Sequence, residues 1–339
     1  MKTKIFTLLA LAAIVLSAQN ANATIRRVGY FGTPRTGTDY SDLTSAHAAS
    51  AAGDTILLYP GTWDATFSKK IVLIGYGYYT DQNANLQVIT GTSTVNVTLA
   101  TGSDNSIFTG VGGLTLSVNN NATIAGITVN RCIAYILLNN KTYTNWQVTQ
   151  SMVGLDGQSY NASMINWLVS NCIVGNTSVG GAFSMATNSS QSCLFTNNVC
   201  QAYSVDFGNA NVVCQNTIFL SFRNNAVAAS YQNCIQYDIY GTLPAGNGNQ
   251  NLNGTTINNL FVGYPTQGIN STDGRWVLKA GSAAIGTGIG GVDCGIYGGA
   301  MPYRLSGIPA IPAFYKLTAP STTTSTNPYT ITFSVRSNN

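Results

Sequence analysis

The stretch Val129-Asn130-Arg131-Cys132-Ile133 begins a repeat that decides the fold. Six further segments can be written in register with it, at residues 148–152, 169–173, 195–199, 214–218, 231–235 and 257–261. Their third residues, counting the first segment, stand at 131, 150, 171, 197, 216, 233 and 259, which gives spacings of 19, 21, 26, 19, 17 and 26. A unit of about 20 residues whose length varies predicts a solenoid with insertions in its loops.

Each position of the repeat has its own chemistry. The first position is Val, Val, Val, Phe, Cys, Tyr and Ile, the second is always polar, and the fifth is always apolar. We therefore expect the first and fifth positions to face the core and the second to face solvent. The third position is Asn in five of the seven segments, and Asn tolerates the left-handed conformation of a sharp bend. We predict that Asn171, Asn197, Asn216 and Asn233 stack at one bend, where their amides form a ladder.

A strand, a bend and a second strand in every repeat predict an all-β fold, a right-handed parallel β-helix. An antiparallel sandwich would not keep residue types in columns over seven segments. A leucine-rich repeat would have Leu at fixed offsets, which this sequence lacks.

The repeat resembles the pectate-lyase-like superfamily of right-handed β-helices, and its flanks are similar to secreted bacterial β-helix proteins. The flanking motifs are Gly53-Asp54-Thr55-Ile56, Pro60-Gly61-Thr62-Trp63, Lys69-Lys70-Ile71-Val72-Leu73-Ile74-Gly75 and, near the end, Gly291-Val292-Asp293-Cys294-Gly295. The resemblance implies a capping helix, a strand pair and a closing segment. It implies no single activity, because members of the superfamily have many.

The N-terminus predicts export. Lys2 and Lys4 precede an apolar run at 5–16, and Ala21-Asn22-Ala23 gives a small-x-small cleavage pattern. We expect a signal peptide at 1–23, a β-helix with its N-terminal cap at 24–266, a closing segment at 267–316 and a Ser/Thr-rich tail at 317–339. The tail ends in a predicted strand at 329–335, which we interpret as an element for cell-surface attachment. The expected location is outside the cell, at its surface or in the periplasm, with no membrane span.

Composition restricts the possible partners. Charged residues are 8% of the chain, all acids are Asp, and His47 is the single histidine. Without clusters of Lys and Arg, we expect no nucleic-acid partner; the oligomeric state is left open. We expect no cofactor and no metal site, because no Cys or His stands at zinc-ligand spacing. Most of the seven cysteines are predicted to be buried thiols, since a chain with a long core needs no disulfide framework.

Other single residues have mainly structural interpretations. Ser41 or Asp42 is expected to cap a helix that runs to about Ala52, with His47 packed on the first coil. Trp146 and Trp167, 21 residues apart, are expected to point inward and stack.

One cluster emerges from the repeat register. Asp206, Arg223 and Asp238 follow the bends of consecutive coils and are the candidate catalytic residues. A sugar would be held by aromatic stacking and polar anchors. The candidate ligand-binding residues are Tyr203, Phe222, Arg223, Tyr237, Asp238 and Tyr240. The alternative is a solvated salt bridge beside aromatic residues of the turns.

Two functions remain open from the sequence. The first is an exported structural or binding module directed toward glycans, because no acid/base constellation of a polysaccharide-cleaving enzyme is evident. The second is a lyase or glycoside hydrolase that acts on an acidic polysaccharide through Asp206, Arg223 and Asp238.

Overall fold

A computed structural model describes residues 23–29, 32–83, 91–157, 162–175, 183–185, 193–201, 205–207, 211–220, 230–320 and 330–337, apart from the side chain of Tyr240. These residues form a predominantly β structure with 27 strands, numbered β1 to β27 in chain order. Two short α-helices, α1 (Leu43–Ala49) and α2 (Gly254–Ile257), lie among them. Four 3₁₀ turns complete the secondary structure: Asp238–Tyr240, Gly274–Trp276, Ile289–Gly291 and Leu305–Gly307.

The first of two long sheets has 11 strands, and all of its pairs are parallel. Its order is β2-β1-β3-β5-β7-β9-β12-β15-β18-β21-β23. The strands are β1 (Ile25–Val28), β2 (Asp39–Tyr40), β3 (Thr55–Leu58), β5 (Val72–Ile74), β7 (Ile107–Thr109), β9 (Thr128–Asn130), β12 (Gln147–Thr149), β15 (Leu168–Ser170), β18 (Cys193–Thr196), β21 (Val212–Gln215) and β23 (Ser230–Gln232).

The second sheet has 12 strands, again paired in parallel. Its main path is β25-β24-β22-β19-β16-β13-β10-β8-β6-β4, and β17 and β20 extend it beside β13. The strands are β4 (Gly61–Phe67), β6 (Ser93–Leu99), β8 (Gly113–Val118), β10 (Ile133–Leu137), β13 (Met152–Asp156), β16 (Ile173–Val174), β17 (Phe183–Ser184), β19 (Val199–Cys200), β20 (Val205–Asp206), β22 (Ile218–Phe219), β24 (Ile235–Tyr237) and β25 (Gln250–Leu252).

From β3 to β10 successive strands alternate between the two sheets, and further along the chain strands of the first sheet still alternate with one or two strands of the second. A third, parallel sheet contains β11 (Thr142–Thr144) and β14 (Ser163–Ile165). Near the C-terminus, β26 (Ala313–Thr318) and β27 (Thr332–Arg336) form an antiparallel hairpin. Strand β27 corresponds to the predicted terminal strand, whereas β26 was not predicted. Among the described residues, no helix is long and apolar enough to cross a membrane.

The predicted bend is confirmed at six repeats. Their third residues all have positive φ values, between 50° and 54°: Arg131, Gln150, Asn171, Asn197, Asn216 and Asn233. Each lies between a strand of the first sheet and a strand of the second, so Asn171, Asn197, Asn216 and Asn233 do share one bend. The seventh segment differs, because Ile257 ends α2 and Asn258 is its C-cap. Asn259 therefore does not continue the strand-bend-strand pattern.

The prediction for the fifth position is wrong. The left-handed third residue turns the chain through a corner, and the alternation restarts there, so that the fourth residue points into the main core. Cys132, Cys172 and Cys234 belong to that core. The fifth residues lie in a separate buried cluster on the other face of the second sheet: Ile133, Met152, Ile173, Val199, Ile218 and Ile235. Part of the closing segment, including Trp276, Cys294, Ile296 and Tyr303, belongs to the same cluster.

The main core contains stacked aromatic side chains. Trp146 and Trp167 are buried and stack with ring centroids 4.8 Å apart, as predicted. All seven cysteines are buried free thiols, which confirms the prediction of burial. At the N-terminal end, Asp42 caps α1 by accepting a hydrogen bond from the Ser45 amide. His47 is buried and stacks on Phe67 at 5.0 Å, as expected of a residue that caps the first coil.

The closing segment returns along the bends, in the opposite order to the repeats. Its backbone bonds to the bend side chains at Asn233 (Thr287 O), Asn216 (Ile289 N), Asn197 (Asp293 O), Asn171 (Ile296 O and Gly298 O), Gln150 (Pro302 O) and Arg131 (Ile308 O). The column of six bends is thereby covered by a segment that lies more than 50 residues further along the sequence.

Candidate binding cleft

The predicted site residues are only partly described by the structure. Asp206 ends β20, where its neighbour in the sheet is Ser184. Tyr237 ends β24, and Asp238 begins the following 3₁₀ turn and is exposed. Tyr203, Phe222 and Arg223 lie outside the described residues, as does the side chain of Tyr240. The described residues therefore do not test this cluster, and it stays a prediction.

A different site is formed on the outer face of the second sheet. There a cleft of about 730 Å³ lies between the sheet and the loop that follows β5. This volume is within the range of small-molecule sites, roughly 300–1,000 Å³. Its lining residues are Tyr78, Tyr79, Thr80, Asp81, Gln82, Gly91, Thr92, Thr94, Gly112, Gly113, Leu114, Thr115, Ile133 and Tyr135.

The floor of the cleft consists of three neighbouring strands, β6, β8 and β10. Thr94 is directly opposite Gly113, and Thr115 is directly opposite Tyr135. A Cβ at Gly113 would lie 3.3 Å from the Thr94 hydroxyl oxygen, so the glycine keeps the floor open at this point. Neighbouring strands are about 4.8 Å apart, so the floor is a flat, ribbed surface about 10 Å wide across the strands.

Residues 78–82 of the loop after β5 form the wall of the cleft. This wall is held in an unusual backbone conformation. Tyr79 has a φ of 49°, which costs a bulky residue about 1–3 kcal/mol and persists only where its surroundings impose it. Its carbonyl accepts hydrogen bonds from the backbone amides of Gln82 and Asn83 and from the Ser306 hydroxyl. Its ring meets that of Tyr78 edge-on, with centroids 5.5 Å apart. The Tyr79 side chain is therefore positioned before any ligand arrives.

The closing segment supplies the support of this wall. Asp273 is fully buried, and its carboxylate accepts hydrogen bonds from the Ser306 amide and the Asn83 side chain. The Tyr78 amide donates to the Ser306 carbonyl, and the Gln82 side-chain oxygen accepts from Thr272. Residues about 190 to 227 positions apart in the sequence thus build one wall.

The chemistry of the lining is that of a binding site. Among the described residues that line the cleft, Asp81, exposed at the rim, is the one with a carboxylate, and none is Lys, Arg or His. Burial raises the pKa of Tyr78 well above its ordinary range, and the neighbouring Asp273 carboxylate adds to this effect, so its phenol stays neutral. Hydroxyls and phenol rings are left to make contact with a ligand. Among the described residues, no group of three or more His, Cys, Asp or Glu side chains could hold a metal ion.

The sequence analysis did not identify this cleft. The run Tyr76-Gly77-Tyr78-Tyr79-Thr80-Asp81 is rich in aromatic residues and directly follows the apolar motif that ends at Gly75. Tyr135 stands at an outward-facing position of β10. Both features could have indicated a binding surface. That they lie close together could not be predicted, because it depends on a loop that has no sequence periodicity.

Comparison with known proteins adds no assignment: the chain matches no protein-family model and no curated protein.

Proposed function

We propose that this chain is an exported, right-handed parallel β-helix of the pectate-lyase-like type that acts outside the cell as a structural and binding module for glycans. Two long parallel sheets with alternating strands support the β-helix, and parallel strand connections of this kind are right-handed in about 98% of cases. The pattern at residues 1–23 supports export.

The observation that carries the glycan proposal is the cleft between the second sheet and the Tyr79 loop. Its floor presents the hydroxyls of Thr94 and Thr115 and the ring of Tyr135 along one flat face. Sugars are held by stacking of their apolar faces on aromatic rings and by hydrogen bonds to their hydroxyls. A rigid wall at Tyr79 reduces the entropy lost on binding.

The lining favours binding over catalysis. Glycoside hydrolases use two carboxyl groups that flank the scissile bond, whereas Asp81 is the one carboxylate among the described lining residues. A lyase that acts on uronates needs a base and a means of neutralising the uronate charge, and none of the described lining residues has a cationic side chain.

Attachment at the cell surface is supported by the C-terminal hairpin. Phe314, Leu317, Phe333 and Val335 are each 44–59% exposed on β26 and β27. Exposed apolar residues in such a group are typical of an interaction surface.

A glycan array with the wild type and three variants tests the proposal. We expect the Tyr135→Ala variant to lose about tenfold in affinity for any glycan that the wild type binds, equivalent to about 1.4 kcal/mol. Tyr315→Ala is the matched control, because Tyr315 lies on the hairpin. The variant carrying Tyr203→Ala and Arg223→Ala examines the surface predicted from the sequence. If that variant loses binding and Tyr135→Ala does not, the glycan site is not in the cleft; if no glycan binds the wild type, glycan binding is rejected altogether.

A further inference from the structure

The charge among the described lining residues of the cleft is negative and comes from Asp81. The described residues of the loop and strand edge, 75–83 and 91–92, contain one charged residue, Asp81. Strands β6, β8 and β10, which form the floor, contain none. The described segments that line the cleft therefore contain no cation.

One cation near this site, Arg131, is turned away from it. Arg131 influences the Tyr78 phenol electrostatically, but its guanidinium donates to the Ile308 carbonyl and the Gln150 side chain in a buried position. Arg131 therefore binds the closing segment and does not line the cleft.

A carboxylate next to electron-rich rings is the chemistry that recognises an ammonium group. Tyr79 and Tyr135 line the cleft together with Asp81. A ligand cation is attracted by the face of a tyrosine ring and by a carboxylate. A ligand carboxylate or sulfate would meet the Asp81 charge with no positive partner in the lining.

We infer that the cleft selects glycans that carry free amino groups over glycans that carry carboxylates or sulfates. This inference rests on the proposed function and specifies the ligand class of the same site. It also differs from the surface predicted around Arg223, which would favour acidic glycans.

The experiment compares three oligosaccharides of equal length by calorimetry: glucosamine, N-acetylglucosamine and galacturonate oligomers. For the wild type we expect glucosamine to bind about fivefold more tightly than N-acetylglucosamine, since a solvent-exposed ion pair contributes modestly. Galacturonate is expected to bind most weakly. Because Asp81 is exposed, the preference for the amine should also weaken as salt is added.

Two carboxamide variants decide the matter. Asp81→Asn should abolish the roughly fivefold preference for glucosamine over N-acetylglucosamine. Asp104→Asn, at a carboxylate outside the cleft that accepts a hydrogen bond from the Ala125 amide, should keep the wild-type preference. The inference alone is overturned if galacturonate binds best, or if Asp81→Asn keeps the preference for glucosamine. If none of the three oligosaccharides binds at all, the proposed glycan function is overturned together with it.

Discussion

At the scale of single residues, the asparagines of the bend serve two purposes. Their backbone adopts the left-handed conformation that other L-residues adopt at a cost of about 1–2 kcal/mol. Their amides were predicted to bond along a ladder, and Asn216 does donate to Asn197 at 3.4 Å. The shorter bonds of Asn171 and Asn233, however, go to backbone carbonyls of the closing segment, at 2.7–2.9 Å.

Asn171 separates these two contributions. Its amide donates to the carbonyls of both Ile296 and Gly298. We expect Asn171→Ala to lower the free energy of unfolding by about 3–4 kcal/mol, through two lost buried hydrogen bonds and a strained backbone. Asn171→Gly keeps the backbone free of strain and should lose about 1 kcal/mol less, as measured by urea denaturation. Equal losses in the two variants would mean that the left-handed conformation is of no energetic importance.

The buried thiols predict how stability depends on pH. Burial raises the pKa of Cys132, Cys172 and Cys234 to about 12, from an ordinary value of 9.0. Between these two values the unfolded chain loses protons that the folded chain keeps, so stability falls as the pH rises. Each thiol should contribute a loss of about 1.4 kcal/mol per pH unit above pH ~9, and none below it.

Denaturation midpoints across this alkaline range provide the measurement. In Cys172→Ala, the free energy of unfolding should fall less steeply with pH, by about 1.4 kcal/mol per pH unit, because one buried thiol is missing. Near neutral pH, the difference in stability between this variant and the wild type should not change with pH. In the native protein at neutral pH the thiols should resist a thiol reagent, and all seven should react after unfolding. A thiol that reacts rapidly in the native state would contradict the burial on which this prediction depends.

At the scale of elements, the closing segment links the repeat bends to the cleft. Asp273 is the centre of this link, because its carboxylate bonds to the Ser306 amide and to Asn83. The carbonyl of Tyr79 in turn accepts from the Ser306 hydroxyl. Asp273 is thus a positioning residue for the wall of the cleft, at some distance from any ligand.

Replacing Asp273 should therefore affect binding as well as stability. Asp273→Ala leaves the buried Ser306 amide without its acceptor, and we expect a loss of about 2–3 kcal/mol in unfolding free energy. Glycan affinity should fall in the same variant, because the Tyr79 loop loses its support. Asp273→Asn keeps an acceptor oxygen for the Ser306 amide but turns a donor toward the Asn83 amide group, so it should restore only part of both quantities. A stability loss with unchanged glycan affinity would show that the wall is held by other contacts.

The elements differ in how far the sequence predicts them. The six bends and the cap at Asp42 were predictable because each depends on a local property, the tolerance for a left-handed conformation or a side-chain cap. The outward direction of Ile133 and Met152 was not, since a column buried beneath a distant segment has the same apolar composition as one in the core. The cleft was missed for a related reason: Tyr79 and Tyr135 belong to different coils, and an aperiodic loop brings them together.

At the scale of the whole molecule, the closing segment changes how the proposed β-helix should unfold. In a simple solenoid each repeat contacts only its neighbours, so stability is nearly a sum of local terms. Here one segment bonds to Tyr78, in the loop after β5, and to six bends from Arg131, just after β9, to Asn233, just after β23. Each of these bends loses its contacts when the segment leaves, so we expect the coils between β5 and β23 to unfold as one cooperative unit.

Cutting the connection to this segment tests the coupling. Lys279, Ala280 and Gly281 are exposed, and a Cβ at Gly281 would meet no atom within 4 Å, so a protease site inserted after Ala280 should be tolerated. Before cleavage, denaturation should show one transition, with the same midpoint for probes near β5 and near β23. After cleavage, the segment binds as a separate chain and is lost as denaturant rises, because its attachment no longer benefits from a high effective concentration. The two probes should then separate into distinct transitions. Separate transitions in the uncut protein would show that the coils already unfold independently of the segment.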